Sequence, residues 1–362
     1  MKTLVISAVS FTEGGPLTVL RDCARAAAEV LPNWRIIVMA HDASLIDSPR
    51  VEVRTFPRAK ASWWRRLRLE WWGFTAVSRD LGVDLWLALH DVTPRVKARR
   101  QATYCHNPAP FSRATLADSW FEPKYLAFCL FYGWLYAVNI QRNHAVVVQQ
   151  DRLRREFRRR FGVQNVIVAY PSVPAGRSVH HRPQASGSPI FFYPAVARCF
   201  KNFELIGAAI EILEGSAEWN GCVRWTIDGT ENRYSRWLHR RFANLRTIHW
   251  IGYRPAAQIN EEYARASCLL FPSRVETWGL PISEAKAVSL PMIVAERPYA
   301  LETVGTYDRV CFVQPDDPKL LAELMLRFQR GTLEFRPAST PRPSAPFVAS
   351  WNDLISLLTQ GL

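Results

Sequence analysis

Short apolar segments alternate with longer amphipathic segments through the first part of the chain. The apolar segments are TLVISAV, RIIVMA, VEVRTF, DLWLALH, QATYCH, AVVVQQ and NVIVAYP. Residues 16–30, between the first two, have the apolar spacing of an amphipathic helix. Strands that alternate with helices in this way are typical of a parallel sheet covered on both faces. We therefore predict an α/β fold in which residues 1–172 form one Rossmann-like domain.

The same alternation returns after residue 187. Predicted strands are IFFYPAV, RWTIDG, TIHWIGY, CLLFPS and CFVQP, and amphipathic segments lie between them. A second Rossmann-like domain is therefore predicted over residues 188–346. Residues 173–187, between the two domains, are rich in Pro, Gly, Ser and His, so they are predicted to be a linker.

The end of the chain departs from this alternation. Residues 336–346 read RPASTPRPSAP, and the prolines favour an extended conformation. Residues 347–362 follow, with apolar side chains at Phe347, Trp351, Leu354 and Leu358, which is the spacing of one helix face. We expect this C-terminal helix to cross back and pack on the N-terminal domain.

Two other apolar segments have the composition of a membrane span or an export signal. Residues 125–138, YLAFCLFYGWLYAV, are shorter than the roughly 20 residues that span a bilayer, so we predict a core helix. The first residues, MKTLVISAVS, are not followed by a longer apolar stretch or a small-residue cleavage site. They are therefore predicted to be a buried strand.

The charge and the cysteine content indicate what kind of partner the protein binds and in which compartment it works. The net charge is +14, and residues 1–170 hold 25 Lys and Arg against 14 Asp and Glu. Such an excess attracts phosphate groups, whether in a nucleic acid, an anionic lipid or a substrate. The seven cysteines are scattered without a C-x-x-C pair, which indicates neither a disulfide framework nor a zinc site. A cytoplasmic location is expected.

The segment SRVETWGLPISEAKAV, which begins at residue 273, places two glutamates around a turn. Pro281 favours a helix that begins close to it, so Glu276 lies in the preceding loop and Glu284 in the first helical turn. Backbone N–H groups at such a helix start attract an anion. A purely structural role also remains open, in which Glu284 complements the helix dipole and Glu276 caps the turn.

Further polar residues follow other predicted strands, at the sheet edge where α/β proteins bind ligands. Arg198 and Lys201 follow IFFYPAV, and two cations there can neutralise a diphosphate. His106 ends QATYCH, and His90, next to Asp91, is a second histidine candidate. The remaining candidates after a strand are Gly14 and Gly15, which let a substrate approach the backbone closely.

Taken together, these motifs resemble the retaining family-4 glycosyltransferases of the GT-B fold. The two glutamates, separated by seven residues around Gly-Leu-Pro, match the family signature. EGGPLTVLRD, YCHNPAPF, RCFKNFELI and LETVG occur in the matching order along the chain. The resemblance implies two Rossmann-like domains facing a central cleft. It also implies sugar transfer from a GDP- or UDP-linked donor to a glycan or lipid-linked oligosaccharide, in bacterial surface polysaccharide or lipopolysaccharide biosynthesis.

The resemblance also assigns roles to individual residues. Glu284 would accept hydrogen bonds from the nucleotide ribose, and Glu276 would contact sugar hydroxyls. His106 would contact the donor sugar near its reactive carbon. The other predicted donor-binding residues are Gly14, Gly15, Arg198, Lys201, Gly252, Tyr253, Thr277, Trp278, Gly279 and Leu280. The nucleotide base is expected near the residues from Gly252 to Arg254.

No metal or other cofactor is expected. Metal-dependent sugar transfer usually needs an Asp-x-Asp pair, and the sequence has none. Arg198, Lys201 and the helix start near Pro281 would then supply the positive charge that a metal otherwise provides.

Two basic segments bear on the choice of partners. Residues 57–74 interleave arginines with four tryptophans, which suits either peripheral association with an anionic inner membrane or a helix with internally packed tryptophans. Residues 151–162, DRLRREFRRRFG, are interpreted as the solvated face of a helix, so no nucleic-acid partner is expected.

The sequence leaves two alternative functions open. A nucleotide-sugar 2-epimerase shares the fold and would turn over donor without an acceptor. A non-catalytic basic module that binds membrane or nucleic acid is the other alternative, and the intact set of candidate residues disfavours it.

Overall fold

The computed structural model describes residues 1–12, 14–112, 116–171, 188–337 and 339–362, apart from the side chains of residues 116 and 117. The predicted linker, residues 173–187, lies outside the described residues. The chain divides into two compact units. Unit 1 comprises Met1–Phe111, Leu130–Ser172 and Pro343–Leu362, and unit 2 comprises Ser112–Cys129 and Val173–Arg342.

The strands and helices alternate, as the apolar pattern predicts. The strands are β1 (Thr3–Ser7), β2 (Arg35–Ala40), β3 (Val51–Thr55), β4 (Val83–Ala88), β5 (Ala98–Cys105), β6 (Ala145–Val148), β7 (Val166–Ala169), β8 (Ile190–Tyr193), β9 (Cys222–Trp225), β10 (Ile248–Trp250), β11 (Cys268–Phe271), β12 (Met292–Ala295), β13 (Val310–Val313) and β14 (Phe347–Val348). The α-helices are α1 (Gly14–Val30), α2 (Trp63–Arg68), α3 (Phe74–Leu81), α4 (Leu116–Phe121), α5 (Pro123–Ala137), α6 (Asp151–Phe161), α7 (Phe203–Glu214), α8 (Arg233–Phe242), α9 (Ala256–Arg265), α10 (Leu280–Ala287), α11 (Pro298–Val304), α12 (Pro318–Gln329) and α13 (Trp351–Thr359).

Unit 1 is built on a parallel sheet with the order β14-β7-β6-β5-β4-β1-β2-β3. Successive strand side chains point to opposite faces, and both faces are buried. Leu4, Ile6, Leu85 and Leu87 therefore join one apolar core, together with α1 and α13. Their neighbours Val5 and Trp86 join a second core with Phe74 of α3.

Unit 2 is built on a smaller parallel sheet with the order β10-β9-β8-β11-β12-β13. Its core is one apolar cluster in which large aromatic residues of the strands, such as Phe192 and Trp225, are fully buried. In both units the carboxyl ends of neighbouring parallel strands meet at one edge of the sheet, which is where α/β proteins bind ligands. The predicted α/β class is confirmed.

The C-terminal segment completes unit 1. β14 pairs with β7, and the Phe347 backbone lies in register with Val168. In α13, Trp351 is buried against Tyr104, with 5.2 Å between the ring centroids. The prediction that the C-terminal helix packs on the N-terminal domain is confirmed.

Residues 112–129 belong to unit 2, although the apolar pattern predicts them within the N-terminal domain. The Phe121 ring lies 5.6 Å from that of Tyr234 and 5.3 Å from that of Trp237, both on α8. This contact joins residues about 110 positions apart, so local spacing does not reveal it. The aromatic packing explains why the segment joins unit 2.

Helix α5 differs from the predicted core helix in its burial. Tyr132, Leu135 and Tyr136 are buried, whereas Leu130, Phe131 and Trp134 are exposed. An almost uniformly apolar sequence hides which side of a helix is covered, so periodicity could not identify the exposed side. Among the described residues, none of the helices has both the length and the apolar content to cross a membrane.

Candidate functional site

The centre of the candidate site in unit 2 is an ion pair between two loops that follow strands. Lys201 lies beyond β8, Glu276 lies beyond β11, and the Lys201 Nζ is 2.5 Å from Glu276 Oε1. The same oxygen accepts a hydrogen bond of 2.6 Å from the Ser273 hydroxyl. Both charged side chains are largely buried, and an opposite charge offsets the cost of removing each from water.

Buried aromatic and amide groups hold the two loops in place. The Tyr193 hydroxyl donates to the Lys201 carbonyl at 2.6 Å, and the Tyr299 hydroxyl donates to the Ser273 carbonyl at 2.6 Å. Asn202 adopts a left-handed backbone, with φ 61°, and its side-chain amide donates to the carbonyls of Pro272 and Pro315. Lys201 and Glu276 are thus positioned by groups that are themselves fixed.

Helix α10 begins as the position of Pro281 predicts. It starts at Leu280, with Pro281 as its second residue, and Gly279 precedes it with φ 86°. The backbone angle favours glycine, and a Cβ atom on Gly279 would lie 3.1 Å from the Phe271 ring, which would have to shift slightly. The first N–H groups of an α-helix have no acceptor within the helix, and this end carries partial positive charge.

Trp278 anchors the turn before α10. Its indole Nε1 donates to the Ser283 hydroxyl at 2.9 Å, and its carbonyl accepts from the Thr303 hydroxyl. Trp278 is buried, whereas Thr277 beside it is partly exposed. The backbone at Thr277, Trp278 and Gly279 is therefore fixed at the helix start.

Glu284 is the fifth residue of α10 and therefore lies just beyond the predicted first turn, because the helix already begins at Leu280. Its Oε2 accepts a hydrogen bond of 2.8 Å from the hydroxyl of Tyr263, which lies on α9. Glu284 is partly exposed, so one side of the carboxylate is oriented while the residue remains accessible. The structure thus brings Lys201, Glu276 and Glu284 to the same unit, around the start of α10.

Arg198 is held by a carboxylate that the sequence did not identify. Arg198 Nε lies 2.5 Å from Glu122 Oε2, and the other Glu122 oxygen accepts the Cys199 N–H at 2.7 Å. Glu122 lies between α4 and α5, within the segment that joins unit 2. The Arg198 side chain remains 41% exposed. No local signal pointed to Glu122, because its partner lies 76 positions away and the contact is tertiary.

The predicted base-binding residues follow β10. Gly252 has φ 68° and its N–H donates to the Ile227 carbonyl at 3.2 Å. Tyr253 is exposed, with its ring available to a stacking partner. Both residues stand at the same sheet edge as Lys201 and Glu276, since β10 and β11 belong to one parallel sheet.

In unit 1, His106 is positioned by Asp91. His106 lies immediately after β5, and Asp91 follows β4 with a left-handed backbone at φ 67°. Asp91 Oδ1 accepts the His106 N–H at 2.6 Å, while its Oδ2 lies 3.7 Å from His106 Nε2. The hydroxyls of Tyr132 and Tyr136 each donate to Asp91 at 3.1 Å. The sequence pointed to Asp91 only as a neighbour of His90, because its partners are tertiary.

His90, the second histidine candidate, is almost completely buried. Its Nε2 accepts the Ser10 N–H at 3.2 Å, and Arg66 donates to its carbonyl at 2.8 Å. Burial, and then the positive charges of Arg66 and His106, hold the pKa of His90 well below its usual range. Burial therefore favours the neutral form of His90, and its hydrogen bonds give it a structural role.

Gly14 and Gly15 form the start of α1, after β1. Gly14 has φ 65°, and no atom lies within 4 Å of the position that a Cβ would occupy on either glycine. The space beside them is open, as a loop that admits a substrate requires.

Residues 181–336 match the family described as glycosyl transferases group 1. The match shows that this part of the chain is similar to that family. The predicted glycosyltransferase is confirmed by this match, and the assignment to family 4 within it stays a prediction. No curated protein sequence matches the chain.

Solved structures similar to the chain are GT-B glycosyltransferases, which confirms the predicted fold. Sucrose-phosphate synthase from Thermosynechococcus elongatus has a TM-score of 0.68 and 14% identity, over 92% of this chain and 90% of that one. The lipopolysaccharide outer core galactosyltransferase WaaB has a TM-score of 0.63 and 13% identity, over 99% of this chain and 94% of that one. Anabaena HepE, solved in complex with UDP-glucose, has a TM-score of 0.61 and 13% identity, over 99% of this chain and 95% of that one.

Proposed function

We propose that this glycosyltransferase moves a sugar from a nucleoside-diphosphate sugar to a glycan or lipid-linked oligosaccharide, with retention of configuration. The observation that carries the proposal is the ion pair of Lys201 and Glu276 beside the start of α10, with Glu284 in the same helix. A cation, a helix start and two oriented carboxylates match the phosphates and hydroxyls of such a donor.

The similar structures favour the same donor and acceptor classes. Anabaena HepE was solved with UDP-glucose, and WaaB is a lipopolysaccharide galactosyltransferase. We therefore include GDP- and UDP-linked donors, and an acceptor in bacterial surface polysaccharide or lipopolysaccharide biosynthesis. The seven free cysteines suit a cytoplasmic enzyme, and association with the anionic face of the inner membrane is part of the proposal.

Each residue of the unit 2 site has a role in holding the donor. Lys201 and Arg198 neutralise the diphosphate, and the backbone N–H groups of Gly279 and Leu280 contact it at the helix start. Glu276 accepts hydrogen bonds from the sugar hydroxyls, and Glu284 accepts them from the ribose. Tyr263 and Ser273 hold these carboxylates in orientation before the donor arrives.

The proposed transfer occurs on one face of the sugar. The acceptor hydroxyl attacks the anomeric carbon from the side on which the diphosphate departs. As the bond from carbon to the diphosphate oxygen breaks, that oxygen takes the proton of the attacking hydroxyl, and the nucleoside diphosphate leaves. Lys201, Arg198 and the start of α10 stabilise the charge that develops on the leaving group. His106, oriented by Asp91, contacts the sugar near the reacting carbon.

We propose that this charge stabilisation needs no metal ion. Lys201 is present as a paired cation, and the start of α10 adds a second positive group at the same edge of the sheet. Activity should therefore persist in EDTA. Loss of activity in EDTA, with recovery on adding Mg²⁺ or Mn²⁺, would contradict this part of the proposal.

The function is tested by calorimetry and by product analysis. We expect UDP- or GDP-sugars to bind the wild-type chain and to bind Glu284→Ala at least about tenfold more weakly, since a hydrogen bond to a charged group is lost. Unchanged binding by Glu284→Ala would refute the site. Product formation with a lipid-linked acceptor, analysed by NMR for anomeric configuration, tests retention. Donor turnover without acceptor would indicate the 2-epimerase instead.

A further inference from the structure

One surface of unit 1 exposes an unusual number of large apolar side chains. Trp64 and Trp72 lie on α2 and on the π-helical turn, Leu69–Gly73, that follows it. Leu130, Phe131 and Trp134 lie on α5. All five are strongly exposed, from 62% for Trp72 to 77% for Trp64. We call these five residues the aromatic face.

Ring contacts join the two helical segments into one surface. The Trp71 ring lies 6.0 Å from that of Trp134 and 5.9 Å from that of Trp72. The Trp63 ring lies 6.0 Å from that of Tyr132 on the buried side of α5. The aromatic face is therefore one continuous part of unit 1, although its residues come from two regions of sequence.

A buried ion pair lies on the inner side of the segment that carries Trp64 and Trp72. Arg66 Nε donates to Glu70 Oε1 at 3.0 Å, and Arg66 also donates to the His90 carbonyl. Both side chains are buried. The inner side of this helical segment is thus occupied by a charged pair, whereas Trp64 and Trp72 of the same segment are exposed.

Arginines lie beside the part of the aromatic face that α2 contributes. Arg58, Arg65 and Arg68 line a cavity of about 390 Å³ with Phe56 and Leu69. Arg68 also lines a second cavity of about 570 Å³, formed with Trp64, Leu67, Trp71 and Trp72. In the parts of the chain that the structure describes, none of these three arginines forms an ion pair. We call the three residues the arginine cluster.

We propose that the aromatic face and the arginine cluster dock unit 1 onto a bilayer that contains anionic phospholipids. Tryptophan favours the boundary between headgroups and acyl chains, and arginine pairs with headgroup phosphates. Docking of a second copy through the same face would bring arginine clusters together and cost free energy. The charge of the surface therefore selects an anionic partner.

This inference deepens the proposed function, and rests on it only in placing a lipid-linked acceptor at the same membrane. Binding to vesicles is measured without donor or acceptor. A failure of docking and a failure of sugar transfer are therefore distinguished by separate experiments.

The test is flotation of the full chain with vesicles of phosphatidylcholine, with or without phosphatidylglycerol. We expect binding to the vesicles that contain phosphatidylglycerol. Arg58→Gln/Arg65→Gln/Arg68→Gln should weaken it at least roughly tenfold, since each arginine near an anionic surface contributes. Trp64→Ser/Trp72→Ser/Phe131→Ser should also weaken it at least about tenfold.

Matched variants in unit 2 control for charge and apolar content. Arg236→Gln/Arg240→Gln/Arg246→Gln removes the same charge from exposed positions, and Ile212→Ser removes an exposed apolar side chain. Both controls should float as the wild-type chain does, and every variant should keep the wild-type melting temperature. The proposal would be overturned if the wild-type chain bound neutral vesicles as well as vesicles with phosphatidylglycerol. It would also be overturned if the folded Trp64→Ser/Trp72→Ser/Phe131→Ser variant floated as the wild-type chain does, or if the control variants lost as much binding as the test variants.

Discussion

At the residue scale, Lys201 and Glu276 form a buried ion pair and are also the proposed donor-binding residues. Each partner is largely buried, so removing one leaves the other charge without its counterion. The same Lys201 would neutralise the donor diphosphate. Stability and function can therefore be separated by changing the two residues together.

Lys201→Met should lower the free energy of unfolding by about 3 kcal/mol, because Glu276 stays buried without its cation. Lys201→Met/Glu276→Gln should recover most of this loss, since neither charge remains, but should not recover donor binding. Chemical denaturation and calorimetry measure the two effects. Recovery of donor affinity in the double variant would contradict the role of Lys201.

In the proposed site, Glu122 is a positioning residue that acts through Arg198. Glu122→Gln should weaken nucleotide binding about threefold to tenfold, because Arg198 loses the charged partner that orients its guanidinium. The effect should disappear in an Arg198→Ala background, as expected for two groups in contact. Tighter binding by Glu122→Gln would instead mean that Glu122 competes with the diphosphate. Calorimetry with UDP and GDP measures all four variants of the cycle.

The lowered pKa of His90 predicts that the stability of the protein depends on pH. Its folded pKa is depressed by burial and by Arg66 and His106, so below pH 6.5 the unfolded state binds more protons than the folded state. The free energy of unfolding should therefore fall as the pH drops from 7 toward the folded pKa. His90→Gln removes the titrating group, so the free energy of unfolding of this variant should fall less over the same pH range. Equal slopes for both chains, in urea denaturation at each pH, would contradict this assignment.

At the element scale, the start of α10 depends on one backbone conformation. Gly279 combines φ 86° with a contact of 3.1 Å to Phe271 for any added Cβ, whereas Gly331 has φ 70° and open space. The two glycines therefore separate backbone strain from crowding.

Gly279→Ala should lower the free energy of unfolding by about 2–3 kcal/mol and weaken donor binding, because the helix start must shift. Gly331→Ala should cost only about 1 kcal/mol, since strain acts there without crowding. Thermal melts and calorimetry measure the comparison. Equal losses in the two variants would show that crowding at Phe271 contributes nothing.

At the scale of the whole molecule, the last residues of the chain complete the first unit. β14 pairs with β7, and α13 buries Trp351, Leu354, Ile355 and Leu358 in the core beside α1. Unit 1 therefore requires residues from both ends of the chain.

Trp351→Ala should lower the free energy of unfolding of unit 1 by about 3–5 kcal/mol, because it leaves a large cavity beside Tyr104. Asn352→Ala, on the exposed side of the same helix, is the matched control and should change stability by less than about 0.5 kcal/mol. Urea denaturation followed by circular dichroism measures both. A wild-type transition in Trp351→Ala would show that α13 adds little to unit 1.

The sequence by itself determined the α/β class, the two parallel sheets, the helix start at Pro281 and the motifs that resemble a glycosyltransferase. These follow from local rules, since strand and helix periodicity and proline geometry act over a few neighbouring residues. The ordered motifs carry the resemblance to the retaining family-4 glycosyltransferases. For the same reason, the local sequence is sufficient to assign Glu276 to a loop and Glu284 to a helix.

Only the tertiary structure decided which groups meet. Glu122 pairs with Arg198, which lies 76 positions away along the chain. Asp91 contacts His106 and two tyrosines of α5, and residues 112–129 belong to the second unit. It also decided that α5 buries one side and exposes Leu130, Phe131 and Trp134. The physical reason is that such contacts depend on how distant elements pack, and neither spacing nor residue type encodes that packing locally.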